Sequence, residues 1–263
     1  MQRHMQLQKR GTRIQSVEDW FRLAPPKMGK AQWKPGRSAL ELARTWCPEG
    51  GAPRLPEAFG RLLASHPGLG AITVSALEPE CPLPFDDLAG EPRNADLAGL
   101  GQTSHGPIAI TVEAKADELF GKLVQQELSA AVRTIASDGR TNMVTRIQQL
   151  AASLLPERLP DGPTLGQLRY QLLTATAGSI ALAEANAAKL ALLIVHEFRT
   201  SATHDAKLAS NAQDLDRFLG RLASGTETQL ESGRIVGPFS TPGHRNIAFY
   251  VGKLRTDLLG TGV

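Results

Sequence analysis

Pro107-Ile108-Ala109-Ile110-Thr111-Val112-Glu113-Ala114-Lys115 reads as a β-strand, and the far end of that strand decides the fold. Side chains alternate along an extended chain, so Ile108, Ile110, Val112 and Ala114 line one face while Ala109, Thr111, Glu113 and Lys115 line the other. Glu113 and Lys115 therefore point the same way, where an otherwise apolar strand turns polar. Upstream, residues 71–77 alternate between Gly70 and Pro79 and predict another strand, and residues 96–100 predict a short second one before a turn over 101–106. Hairpin pairing across residues 99–106 carries the carboxylate of Asp96 toward Glu113.

Outward from these strands the spacing becomes helical. A Ser16 N-cap followed by Glu18 and Asp19 predicts a short helix that stops before Pro25, and further helices are expected over 38–46 and 56–65. Beyond Lys115, apolar residues recur at helical intervals over 118–136 and 142–155. Thr164 is positioned to cap a long helix running to about residue 187. Leu190-Ala191-Leu192-Leu193-Ile194-Val195 is continuously apolar and predicts a central strand over 190–198, covered by helices on both faces. A helix over 214–223 and strands over 234–236 and 247–251 complete the expectation. Residues 1–15, polar and basic, read as a flexible arm. Residues 16–263 read as a single α/β domain with a helical insertion over 118–156.

The chain has 263 residues, 41% hydrophobic and 21% charged, with 25 glycines and 17 prolines. That composition excludes disordered, collagenous and disulfide-scaffold classes. The net charge is only +3, but residues 1–54 carry eleven basic side chains against four acidic ones, a local +7 that leaves −4 elsewhere. Such a basic segment suits a phosphate backbone. Aromatic residues are 5% of the chain, which argues against an extended stacking surface for a single strand and for a duplex grip through phosphates. Cys47 and Cys81 have no CxxC partner and imply a reducing compartment, hence the cytoplasm. The most apolar stretch, 175–195, is broken by Glu184, Asn186 and Lys189, so no membrane span is expected. GxxxxGK[ST], GxGxxG, GxSxG and HExxH motifs are absent from the sequence. His196 and Glu197 end the apolar strand, where a hydrogen-bonded structural histidine is the commoner case.

Asp96, Glu113 and Lys115 are the candidate chemistry. Two hard carboxylates beside an ammonium suit Mg²⁺-assisted hydrolysis of a phosphodiester. The lysine can hold a water, deprotonate it if its pKa is lowered, or stabilise charge on the transition state. The motif [D/E]-x-K is short, and the chain holds a second copy in Asp205-Ala206-Lys207, which has no strand to aim it.

With Asn94-Ala95-Asp96-Leu97 ahead of Ile108 to Lys115, the pattern resembles the PD-(D/E)xK nuclease superfamily, with Ala95 at the motif's proline. Glu113-Ala114-Lys115-Ala116-Asp117-Glu118 with Phe120-Gly121, and Leu168-Arg169-Tyr170-Gln171-Leu172-Leu173, are similar to a bacterial family assigned to it. The resemblance covers residues 16–198. It implies a restriction-endonuclease-like αβββαβ core, a mixed central sheet flanked by helices. It further implies Asp96 and Glu113 as ligands of Mg²⁺, with Mn²⁺ as substitute, Lys115 as catalytic lysine, and Glu41 on the helix over 38–46 as a further carboxylate ligand. Gln167 and Arg169, at the start of the long helix, stand where such folds face substrate phosphate.

The resulting expectation is an Mg²⁺-dependent nuclease acting on nucleic acid, with DNA the expected substrate. A homodimer is compatible with cutting two strands. The alternatives are a catalytically inactive protein of the same fold serving as a nucleic-acid-binding or assembly module, and a metal enzyme acting on another phosphate ester.

Overall fold

The computed structural model describes residues 5–224 and 229–259. Three antiparallel strands form its centre: β3 (Thr73–Leu83), β4 (Arg93–Thr103) and β5 (Gly106–Lys115). The β4–β5 connection is a two-residue turn in which Thr103 Oγ1 accepts from the His105 amide at 3.0 Å, and Gly106 follows at φ 114°. β6 (Leu190–Arg199) lies parallel to β5 and β8 (Ala248–Asp257) parallel to β6, while β7 (Arg234–Phe239) runs antiparallel to β8 at the rim. β1 (Gln6–Lys9) joins β3 in parallel and forms a hairpin with β2 (Thr12–Arg13). The strand order is β2-β1-β3-β4-β5-β6-β8-β7.

Helices cover both faces of this mixed sheet. Ile108, Ile110, Val112 and Ala114 pack with Trp20 of α1 (Val17–Leu23), Leu42 and Trp46 of α2 (Ser38–Trp46), and Phe59 and Leu62 of α3 (Glu57–Leu63). Across the sheet, Ala109, Leu193, Val195 and Phe249 meet α4 (Val124–Ala136), α5 (Met143–Leu154), α6 (Tyr170–Ala185) and α7 (Asp205–Leu222). β6 is apolar on both sides because it is covered on both, as its sequence predicts. The element order α2-β3-β4-β5-α6-β6 runs through the chain, with α4 and α5 between β5 and α6.

Several boundaries differ from the sequence expectation. The described part of the first fifteen residues is not an arm: Leu7 and Ile14 are each 2% exposed and anchor the β1–β2 hairpin to the core, while Met1–His4 lie outside the described residues. Two apolar residues among basic ones sufficed, because β3 offered an open edge. β3 continues past Pro79 and Pro82, since β1 reaches only Ala76 and Leu77 and the rest of that edge needs no amide donor. The helix expected from residue 118 starts at Val124. The long helix starts at Tyr170 rather than Thr164: a 3-10 turn (Leu165–Gln167) comes first, and Arg169 forms an isolated bridge with Leu123. α7 starts at Asp205, nine residues ahead of the expected start at 214.

Candidate metal centre

The far ends of β4 and β5 set the geometry. The last register pair between them is Leu97 with Val112, so the next step brings Asp96 against Glu113. The Ala114 amide donates to Asp96 Oδ2 at 2.7 Å, fastening that carboxylate to β5. Glu113 and Lys115 share the face toward α6, as the alternation requires, and Lys115 Nζ donates to Glu113 Oε1 at 2.5 Å. The Glu113 and Lys115 side chains are only 3% and 5% exposed. Gln171, in the first turn of α6, donates from Nε2 to Glu113 Oε1 at 2.7 Å, and Arg93 at the start of β4 bonds Glu113 Oε2.

The electrostatics follow from burial and crowding. Burial, then the neighbouring Glu113 carboxylate, pushes the half-buried Asp96 up to about 8, despite the opposing pull of Lys115. Burial acts against the charge on Glu113 too, but Lys115 and Arg93 outweigh it and hold that group below the usual carboxylate range. Lys115 is likewise opposed by burial, yet Glu113, Asp96 and Glu118 together raise its pKa. The lysine is thus an ammonium at neutral pH, which favours charge stabilisation or water holding over the role of base.

Glu80 joins the group. It lies between the register pairs Pro79–Leu97 and Cys81–Ala95, opposite Asp96, at a positive φ of 47°. Burial, with a contribution from Glu113, pushes it up to about 7. On the other side, Lys115 is the register partner of Glu197 in β6, whose buried carboxylate meets Arg255 at 3.0 Å and Lys253 at 3.4 Å. Ionisable residues from five adjacent strands thus gather at one level of the sheet, at the carboxyl ends of the parallel strands β5, β6 and β8, where open α/β sheets place their ligands.

The chain leaving β5 is tied down from two helices. Arg37 Nη1 meets Asp117 Oδ2 at 2.5 Å, Lys207 Nζ reaches the Asp117 carbonyl at 2.5 Å, and Asn211 Nδ2 reaches the Glu118 carbonyl at 2.9 Å. Lys207, in the second [D/E]-x-K copy, therefore serves as a brace beneath the first.

A family model described as a domain of unknown function, DUF6946, matches residues 13–258. The chain belongs to that family. No curated protein and no solved structure matches it.

In this DUF6946 chain the structure brings together Asp96, Glu113 and Lys115 and leaves three sequence candidates apart. Glu41 is buried on α2, where its Oε1 accepts from the Gly36 amide at 2.7 Å and from Arg44 at 3.4 Å; no hydrogen bond or ion pair joins it to the cluster. Gln167 Oε1 accepts from the Thr164 amide at 2.9 Å, capping the 3-10 turn. Arg169 spans Asp214 at 2.6 Å and the Gly121 carbonyl at 2.7 Å, holding α7 and the loop before α4.

The residues that sequence reasoning missed are Arg93, Gln171 and Glu80. Arg93 lies three residues before Asp96, which by alternation assigns it to the opposite face; that alternation does not hold at this end of the β3–β4 pair, where its register partner Leu83 also packs toward α6 and Ala95 and Ala98, three apart, share one cluster with Leu83. The Arg93 side chain passes beneath Gly178 of α6, where an added Cβ would stand 3.6 Å from Arg93 Cδ and 3.2 Å from Leu83. Gln171 is hidden by the expected helix start, whose cap at Thr164 lies five residues before the observed cap at Arg169.

Among the described residues no three His, Cys, Asp or Glu side chains gather closely enough to hold a metal by themselves. Mg²⁺, however, commonly takes one or two carboxylates and keeps several waters. The donors are of the right kind, and the Glu113 charge that adds to burial in raising Asp96 is one that a cation would relieve. Asp96 and Glu113 thus fit such an ion, with Arg93 competing for one Glu113 oxygen.

Proposed function

We propose that this protein is an Mg²⁺-dependent nuclease hydrolysing phosphodiester bonds, with DNA the expected substrate. The observation that carries the reading is the convergence of Asp96, Glu113 and Lys115 from two paired strands, with Asp96 pushed up to about 8 by burial and the adjacent carboxylate. The order α2-β3-β4-β5-α6-β6 supports the restriction-endonuclease-like core that the motif implies.

Asp96 and Glu113 would hold the ion, which when bound supplies Lewis-acid stabilisation of phosphoryl charge and a more acidic water. The protein's own residues do the rest. Lys115, held cationic by its neighbours, stabilises negative charge developing on the phosphate oxygens. Gln171 fixes the orientation of Glu113, and the Ala114 amide fixes Asp96. Lys30 and Lys34, on the segment leading to Arg37 and α2, add positive charge for a phosphate backbone.

The test is cleavage of plasmid and of single-stranded oligonucleotides with Mg²⁺ or Mn²⁺ by wild type, Asp96→Asn and Lys115→Met. Metal-dependent cleavage by wild type, lost in both folded variants, supports the reading; a folded wild type inactive on DNA and RNA with either metal rejects it.

One observation favours a second reading. Both oxygens of Glu113 already meet cations, Arg93 on one side and Lys115 on the other. If Arg93 is not displaced, the fold serves as a nucleic-acid-binding module without catalysis, and calorimetry detects no metal binding.

A further inference from the structure

Beside the cluster lies a cavity of about 530 Å³, walled by the loop over 84–92, the segment before α4, and the helices α5 and α6. It shares Arg93 and Gln171 with the Glu113 site. Its volume falls in the range of about 300–1,000 Å³ usual for small-molecule sites.

Three features of the wall point to one kind of occupant. The Arg93 side chain is 9% exposed; its Nη2 bonds Glu113 and its Nη1 reaches Thr174 Oγ1 at 3.3 Å, while its Nε is buried without a hydrogen-bond partner among the described residues. A guanidinium is a rigid fork of donors that suits phosphate, and a buried donor left unpaired is costly enough to expect a partner. Phe85 and Tyr170 supply aromatic surface, and Arg146 bridges them to a polar edge: it lies 6.0 Å from the centre of the Phe85 ring and grips Asp86 at 2.5 and 3.2 Å. Lys122, on the same wall, has no side-chain hydrogen bond or ion pair among the described residues.

We propose that this cavity seats one nucleotide of the substrate strand, its base against Phe85 and Tyr170 and its phosphate on Arg93 and Lys122. The proposal deepens the nuclease reading and rests on it for the bond that reacts, not for the binding itself. A base stacked in a duplex cannot enter such a cavity, so the preferred substrate has an unpaired or extruded nucleotide beside the scissile phosphate. The low aromatic content is consistent with this, because one pocket needs two rings where a stacking platform needs many.

The test is equilibrium binding of a single-stranded oligonucleotide carrying 2-aminopurine, without divalent metal so that no hydrolysis occurs. Wild type is expected to bind it saturably with a change in probe fluorescence, and to leave the same probe unchanged when it is paired within a blunt duplex. Phe85→Ala weakens binding about tenfold, the loss of one stacked base. Lys122→Ala lowers the salt dependence by about one phosphate contact. A deoxynucleoside monophosphate competes, whereas inorganic phosphate at equal concentration does not.

Equal binding of single strand and duplex with unchanged fluorescence overturns the proposal, as does unaltered affinity in both variants. Should Phe85→Ala fail to fold, Lys122→Ala and the competition decide. Probe binding without metal-dependent cleavage would remove the nuclease reading and leave the pocket; cleavage without a probe response would do the reverse.

Discussion

Lys115 Nζ stands 2.5 Å from Glu113 Oε1, inside a sheet face where neither side chain is more than 5% exposed. Because Arg93 meets the other oxygen of the same carboxylate, Glu113 neutralises two buried cations at once. Removing it is therefore a structural injury as well as a chemical one.

The two partners should respond differently to mutation. Glu113→Ala takes from Arg93 and Lys115 the carboxylate that bonds both and is expected to cost about 3–5 kcal/mol. At this chain length that lowers Tm by about 10 °C. Lys115→Met leaves Glu113 paired with Arg93 and fills similar volume, so its Tm falls by less than half as much. Thermal unfolding followed by circular dichroism compares them; equal losses would mean that the Arg93 contact does not stabilise Glu113.

Asp96→Asn should stabilise the protein in mild alkali. The folded-state pKa of Asp96, about 8, lies above its ordinary value of 3.8. The favourable contribution of its protonated form is fully present below about pH 3.8 and is lost as pH rises through 8. An amide keeps the acceptor for Ala114 N–H and never ionises. The variant is therefore expected to gain on wild type as pH rises from 3.8 to 8, by roughly 4 kcal/mol between pH 5 and pH 8.5, seen as a Tm gap that closes only as pH falls toward 3.8. A gap that widens in acid would show that Asp96 is ionised and favourably paired in the folded protein.

The pattern of what could be read beforehand follows from which interactions are local. Alternation on β5 placed Glu113 and Lys115 on one face, and the turn between β4 and β5 carried Asp96 to them; each inference spans one hairpin. The apolar run over 190–195 announced β6 because a strand covered on both faces has no polar side. Elements closed by distant partners were harder to read. β1 exists because β3 has an open edge, and α6 starts at Tyr170 because residues 122–124 bond the backbone at 168–170. Glu41 lay on the expected helix, but Gly36 and Arg44 claim its carboxylate, and nothing in a helical spacing distinguishes an internal cap from a ligand. Arg93 and Gln171 reach Glu113 from 20 and 58 residues away in sequence, through contacts that only the assembled sheet and helix create.

Arg93 should oppose metal binding at the proposed centre. Its guanidinium occupies Glu113 Oε2, so a cation using that oxygen must displace it. Arg93→Gln removes the competitor while Lys115 still compensates part of the charge. Mn²⁺ affinity measured by calorimetry is then expected to rise about tenfold, a difference of about 1.4 kcal/mol. Binding of the single-stranded probe is expected to weaken in the same variant, since the phosphate anchor is gone. Loss of Mn²⁺ binding would instead make Arg93 a support for the carboxylate's position.

His196 should contribute an acid-sensitive fault line away from the proposed chemistry. It is fully buried on β6, its Nε2 is 2.9 Å from Thr256 Oγ1, its Nδ1 has no hydrogen-bond partner among the described residues, and the ring of Phe198 lies 4.1 Å away between centroids. Burial pushes its pKa down to about 3 from the ordinary 6.5. Because the folded-state value is the depressed one, the neutral ring's contribution is complete above pH 6.5 and is lost as pH falls toward 3, where the unfolded chain gains the proton first. Between pH 6.5 and 4 this is worth ~3 kcal/mol. His196→Gln, which keeps a polar group for Thr256 but cannot ionise, is expected to lose correspondingly less stability over that interval. Urea midpoints at pH 7 and pH 4 for both proteins provide the comparison, and parallel losses would show that the acid sensitivity resides in other groups.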